Sequence, residues 1–290
     1  MGKKNKMIKR RSMFQESMTR LFRNRTAMIG LAMFLIILLC CIFANVICPE
    51  GYDAQDIMHK RLPPGTPGFF FGTDQLGRSM LARILYGGRY SILIGVVSTA
   101  MSAVCGITLG AISGYYGGKL DNIIMRVLDI FNAIPTILMA IAISTTMGTG
   151  LFNAMLSVGI ASIPAFARTV RGPILAVKEQ EYVEAAHSID ASVGRIIFKH
   201  VLPNVLSPII VQITMGISSS VLVAASLSFL GLGVQPPVPE WGALISASRQ
   251  YIRQSPYLVT MPGIALGALV LSINLFGDGL RDALDPRLKN

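Results

Sequence analysis

Charge is scarce in this chain. Asp, Glu, Lys and Arg make up 14% of its 290 residues, against 52% hydrophobic, and the mean hydropathy of +0.57 exceeds that of ordinary soluble domains of this length. That shortage speaks against a water-soluble globular protein and for one embedded in lipid. Acids are scarcer still, 15 against 26 bases, for a net charge of +11. Such an excess can bind nucleic acid, but here it is concentrated at the N-terminus: Lys3, Lys4, Lys6, Lys9, Arg10, Arg11, Arg20, Arg23 and Arg25 precede the first apolar run with Glu16 as their only acid. No zinc spacing, recognition-helix signature or aromatic-rich sheet pattern follows. The basic arm therefore reads as a membrane-topology signal, with lipid and not nucleic acid as its neighbour.

Cysteine is also sparse. Cys40, Cys41, Cys48 and Cys105 lie in or beside apolar runs without a C-x-x-C spacing, so they read as packed or lipid-facing thiols. His59, His187 and His200 are too dispersed to nucleate a metal site. The stretch GYYGGKL, residues 114–120, lacks two requirements of a phosphate-binding loop: Ser113 replaces the first glycine and Leu120 follows the lysine. The apolar runs hold no ionisable side chain at mid-depth, which a proton- or ion-coupled transporter would need. No catalytic residue, metal ligand or cofactor site is expected, and any work done on a solute must be driven by another subunit.

Long apolar runs are what the sequence does have. A crossing needs roughly 20 residues, and six runs approach that length: Ala27–Ile47, Ser91–Tyr115, Leu128–Met147, Leu151–Phe166, Val205–Leu230 and Tyr257–Phe276. The first sits too far from the N-terminus, and is too long, for a cleaved leader, and is expected to remain as an anchor. The chain divides into a basic arm (1–26), a first span (27–47), an outer segment (48–90), a core of five spans (91–277) and a tail (278–290). Within the core lie an inner loop (178–204) and a second outer segment (231–256). Both termini are expected in the cytoplasm, because most basic residues then fall inside; Arg78, Arg83 and Arg89 are the outer minority.

Smaller signals add detail. The sequence predicts an interfacial helix leading into the second span and a short amphipathic helix around Trp241, the sole tryptophan. Trp241 suits a headgroup anchor or, with Arg249 and Arg253, a contact for an extracytoplasmic protein. Gly106, Gly110 and Gly114, and Gly263 and Gly267, predict tight helix seams. Arg126 and Asp129 are spaced for a pair on one helix. Ser218, Ser219 and Ser220 are candidates for a pore face, with backbone-bonded serines as the alternative.

The inner loop is the polar exception. EQEYVEAAHSI forms one helix and ASVGRIIFKHVLP a second, stopped by Pro203. Together they make a charged knob with small side chains, Ala185 and Ala186, and two carboxylates, Glu181 and Glu184.

That loop resembles the E-A-A-x3-G-x9-I-x-L-P signature of membrane subunits of ATP-binding-cassette (ABC) importers. Glu184, Ala185, Ala186, Leu202 and Pro203 match, while Asp190 replaces the glycine and His200 the isoleucine. If the residue between the helices has positive φ, Asp tolerates it at a cost of about 1 kcal/mol. KHVLPN, FGTDQLGRSMLARILYGGRYS, LSFLGLGVQPPVPEWG and NLFGDGLRDALDPR are similar to the peptide and nickel branch, though Ser79 stands where an acid is frequent. The resemblance spans about residues 21–290. It implies an all-α type I importer permease bundle with six transmembrane helices and a cytoplasmic coupling loop carrying Glu181, Glu184, Ala185, Ala186, Asp190, Leu202 and Pro203. It also implies a homologous permease partner, two ATPase subunits that bind ATP and Mg, an extracytoplasmic binding protein, and residence in a bacterial inner membrane. The implied cargo is a di- or oligopeptide; nickel or another small solute is the alternative, and a secondary transporter a more distant one.

Overall fold

The computed structural model describes residues 13–285. Lys3 to Arg11, and Arg287 and Lys289 of the tail, lie outside that range. The described chain is helical: α1 (Met13–Arg23), α2 (Arg25–Ile42), α3 (Ala44–Ile47), α4 (Met80–Tyr116), α5 (Gly118–Asn132), α6 (Thr136–Met147), α7 (Leu151–Lys178), α8 (Glu181–Ser188), α9 (Val193–Ile196), α10 (Leu206–Phe229), α11 (Trp241–Ser248) and α12 (Tyr257–Leu284). Among the described residues five helices are long and apolar enough to cross a membrane, and a sixth crossing arises if the bent pair α5–α6 is one span.

Several element boundaries differ from the sequence expectation, among them α7 and α12, which run on past Phe166 and Phe276 to Lys178 and Leu284. The second span and its interfacial lead-in are one 37-residue helix, α4, because no proline interrupts residues 80–116 and Ser79 caps the first turn by accepting from Ala82 N–H at 3.3 Å. The third span is not straight: α5 and α6 meet at 86° where Pro135 removes a donor and disfavours helix in the residue before it. Pro203 does not end the inner-loop helix. A π turn at Ile197–Val201 and a 3-10 turn at Leu202–Val205 carry the chain into α10, and these altered turns accommodate the proline within a continuous helical path.

The centre of the bundle is the α4–α7 seam. A Cβ on Gly106 would lie 2.4 Å from Phe166 Cβ, on Gly110 2.5 Å from Ala167 O, and on Gly114 3.0 Å from Arg171 O. The three glycines thus permit backbone contact along the helices, as expected. Gly263 and Gly267 do not: among the described residues no atom of a neighbouring element comes within 4 Å of a Cβ at either position. The α2–α12 seam instead closes at Gly30, whose Cβ would sit 2.7 Å from Leu275 Cβ, and at Gly279 against Ala27.

Ion pairs fasten the shorter pieces. Asp121 of α5 takes Arg171 of α7 in a bidentate pair, 2.6 and 2.5 Å, and accepts from Ser113 of α4. Asp129 pairs with Arg168 of α7, and not with Arg126 on its own helix. Both carboxylates therefore latch α5, the first half of the broken span, to α7.

Candidate functional site

Three features could act on a solute or a partner: the α8–α9 hairpin, a groove along α10, and the segments at the opposite end of the bundle.

The hairpin is set on the bundle by one apolar face. Val183, Ala186, Ile196, Val201 and Val205 are buried in a cluster with Ala111 of α4, Val170 and Ile174 of α7 and Ile209 of α10. The helical period sends the other face outward. Glu181, Glu184 and Ala185 are exposed, alongside Tyr182 (42% exposed), Ile189 (80%) and Phe198 (75%). The two alanines therefore have different jobs: Ala186 permits packing underneath and Ala185 keeps the outer surface low. Leu202 is half-buried against the cluster and Pro203 is exposed.

Asp190 has φ 57°, in the left-handed region. Its N–H donates to His187 O at 2.9 Å and Ala191 N–H donates to Ala186 O at 3.2 Å, the two bonds of a Schellman cap. The turn thus forms with Asp where glycine costs least. A further tie was not legible in the sequence: Tyr115 at the end of α4 stacks on His187 with ring centres 6.1 Å apart. Their Oη and Nε2 lie 2.9 Å apart, and Lys178 Nζ donates to Tyr115 O at 3.4 Å.

A cavity of about 500 Å³ lies between α6, α7 and α10, lined by Thr136, Ser162, Phe166, Gln212, Ser219 and Ser220 among others. A second, of about 540 Å³, shares Gln212 and Met215 and extends past Thr169 and Ser207 to Arg281. The serine trio is divided by this geometry. Ser219 is exposed; Ser220 is buried and within 3.0 Å of Thr99 Oγ1. Ser218 turns away and donates to Asn274 Oδ1 of α12 at 2.6 Å, so it is a packing contact and not part of the groove.

At the opposite end, Trp241 is corrected. It is 1% exposed, with Nε1 donating to Ile84 O at 2.9 Å, so it neither reaches a headgroup layer nor presents a surface to another protein. The glycine pair Gly87 and Gly88 makes room for it: a Cβ on Gly88 would lie 2.8 Å from the indole. Arg249 and Arg253 remain exposed. Glu240, which the sequence reading passed over, is 1% exposed and caps α11. Its carboxylate accepts from Gly242 N–H, Ala243 N–H and Ser91 Oγ at 2.9, 2.9 and 3.1 Å. Burial pushes its pKa up, against the lowering effect of those bonds.

The minority arginines also have structural partners. Arg78 and Arg83 contact Asp74 at 2.7 and 3.0 Å. Arg89 donates to Cys41 O and Ile42 O at 2.6 and 2.8 Å, capping the carbonyl end of α2. Bonded in this way, they are poor indicators of topology.

A bundle of membrane-length helices with a polar groove and an exposed, firmly seated hairpin is the architecture of a membrane transport subunit. The chain belongs to the family of binding-protein-dependent transport system inner membrane components, whose model matches residues 106–290; residues 12–64 match the N-terminal TM domain of oligopeptide transport permease C. It is 43% identical over 279 residues to the dipeptide transport system permease protein DppC of Alkalihalophilus pseudofirmus, covering 96% of this chain and 91% of that one. The di/tripeptide transport system permease protein DppC of Pseudomonas aeruginosa is 43% identical over 274 residues, covering 92% and 90%. The glutathione transport system permease protein GsiD of Escherichia coli O6:K15:H31 is 42% identical over 281 residues, covering 96% and 92%. Among solved structures, an inward-facing conformation of the MetNI methionine ABC transporter matches with a TM-score of 0.59 at 21% identity, covering 70% of this chain and 96% of that one. The fold is thus that of a type I importer permease, and the protein resides in the inner membrane.

Proposed function

We propose that this chain is one of two homologous permease subunits of an ATP-driven importer of di- or oligopeptides. Its α8–α9 hairpin sits in a cleft of a cytoplasmic ATPase, and both termini share that side of the membrane. A binding protein delivers the peptide at the opposite face, where Arg249 and Arg253 are exposed. The observation that carries this reading is the two-faced hairpin. Its buried face joins α4, α7 and α10 in one cluster, so a push on its outer residues moves three spans together. Glu181, Glu184 and Ala185 meet the ATPase; Ala186, Asp190, Leu202 and Pro203 hold the shape. The groove containing Ser219 is this chain's half of the path. ATP and Mg bind the partner subunits, and closure of those subunits exchanges inward- and outward-facing states of the bundle.

Proteoliposomes containing both permeases, the ATPases and the binding protein provide the test. Uptake of Ala-Ala should require ATP inside the ATPase-facing compartment and survive collapse of proton and sodium gradients. Uptake that persists without ATP and follows an ion gradient would overturn the reading. A thiol reagent should label Ser219→Cys and spare Ser218→Cys; the reverse would move the path elsewhere.

A further inference from the structure

Segments 48–79 and 231–256 and the first turn of α4 border a cavity of about 430 Å³ whose lining includes Asp53, Gln75, Arg78, Arg83 and the Pro236–Val238 turn. Its polar floor is unevenly matched. Asp74, 2% exposed, is saturated: Oδ1 accepts from the N–H groups of Leu76 and Arg78, and Oδ2 from Arg78 Nε and Arg83 Nη1. Arg78 Nη1 extends to Asp53 at 3.1 Å. Arg83 is 4% exposed, yet its Nε is buried without an acceptor, and the Oε1 of Gln75 is buried without a donor.

A buried guanidinium N–H left unmatched is costly, more so than a neutral group. Here a cationic donor and a neutral acceptor are both unmatched in the lining of one cavity, and Asp53, 46% exposed, adds a carboxylate that solvent reaches. Those three groups complement a carboxylate oxygen, an amide N–H and an ammonium, which are the main-chain groups of a short unblocked peptide. The facing wall of Pro236, Pro237 and Val238 is apolar and accepts small side chains without competing for hydrogen bonds.

We infer that this cavity is a subsite for the main chain of a small zwitterionic peptide at the mouth opposite the hairpin. Arg83 Nε–H holds the peptide carboxylate, Gln75 Oε1 accepts its amide N–H, and Asp53 faces its ammonium. Both unmatched atoms are shielded in this state, so binding requires side-chain rearrangement at the cavity wall. The inference rests on the peptide-importer reading above.

Saturation-transfer NMR on the assembled transporter in nanodiscs, without binding protein, tests it with Ala-Ala as probe. Wild type should give a saturable signal that Ala-Ala amide gives several-fold more weakly. Arg83→Lys keeps the charge beside Asp74, and Gln75→Leu leaves the ion pairs alone; each should weaken Ala-Ala binding roughly tenfold, as expected for a hydrogen bond to a charged group. Basal ATPase activity within twofold of wild type reports that the variants are folded. No signal in wild type, or equal binding by both variants, overturns the subsite. So does a loss confined to binding-protein-stimulated ATPase activity, which would make the cavity a protein contact. The peptide-importer reading fails separately, if wild-type proteoliposomes take up no peptide.

Discussion

At Asp190 a single side chain bears a backbone cost that glycine would avoid, since its φ of 57° is disfavoured for a residue with a Cβ. Asp190→Gly should stabilise the protein by about 1 kcal/mol, read as a higher melting temperature in detergent, whereas Asp190→Val should lower it because a β-branched side chain suits this region least. Glu240 carries the opposite kind of tension. Its carboxyl caps α11 but is buried, so its native pKa is raised above the ordinary value of about 4.3. The folded chain then holds this proton more tightly than the unfolded one. Its contribution is greatest below the ordinary value and declines as pH climbs toward the native one. Glu240→Gln should flatten that part of the stability profile, while Glu240→Ala leaves two N–H groups unpaired and should cost about 1–3 kcal/mol.

Elements show how far the sequence could be read. The α4–α7 seam was legible because three glycines at a spacing of four place a strip without side chains on one helix face, which can serve close approach. Gly110→Leu should force those helices apart, at about 1–3 kcal/mol, measurable as lost thermal stability with the hairpin's own sequence intact. The same spacing at Gly263 and Gly267 has no partner among the described residues, since a spacing says which face is smooth and not what lies on it. The hairpin was visible as a charged island between apolar runs, and its turn as a position where glycine would be cheapest. The 86° break at Ala133–Pro135 was missed, because hydropathy averages over a window and a proline inside it changes the sum little. Trp241 was misplaced for a related reason: composition marks an indole as amphipathic, but only tertiary packing reveals that Gly87 and Gly88 make room for it inside and that Ile84 O accepts its N–H.

Over the whole molecule, the hairpin and the groove share two helices, α7 and α10. The hairpin cluster reaches α4, α7 and α10, and α7 and α10 also line the groove, so under the proposed mechanism displacement of the hairpin is carried to the groove. Ala185 is the position at which this can be probed without disturbing the fold, being exposed while Ala186 beneath it is buried. The decisive measurement is peptide uptake and ATP hydrolysis recorded together in proteoliposomes bearing the complete transporter with Ala185→Trp. A bulky ring on the outer face should cut uptake by roughly tenfold, in keeping with losses at buried interface positions, while the melting temperature stays within a few degrees of wild type. Uptake and hydrolysis both unchanged, with all subunits still assembled, would contradict the account.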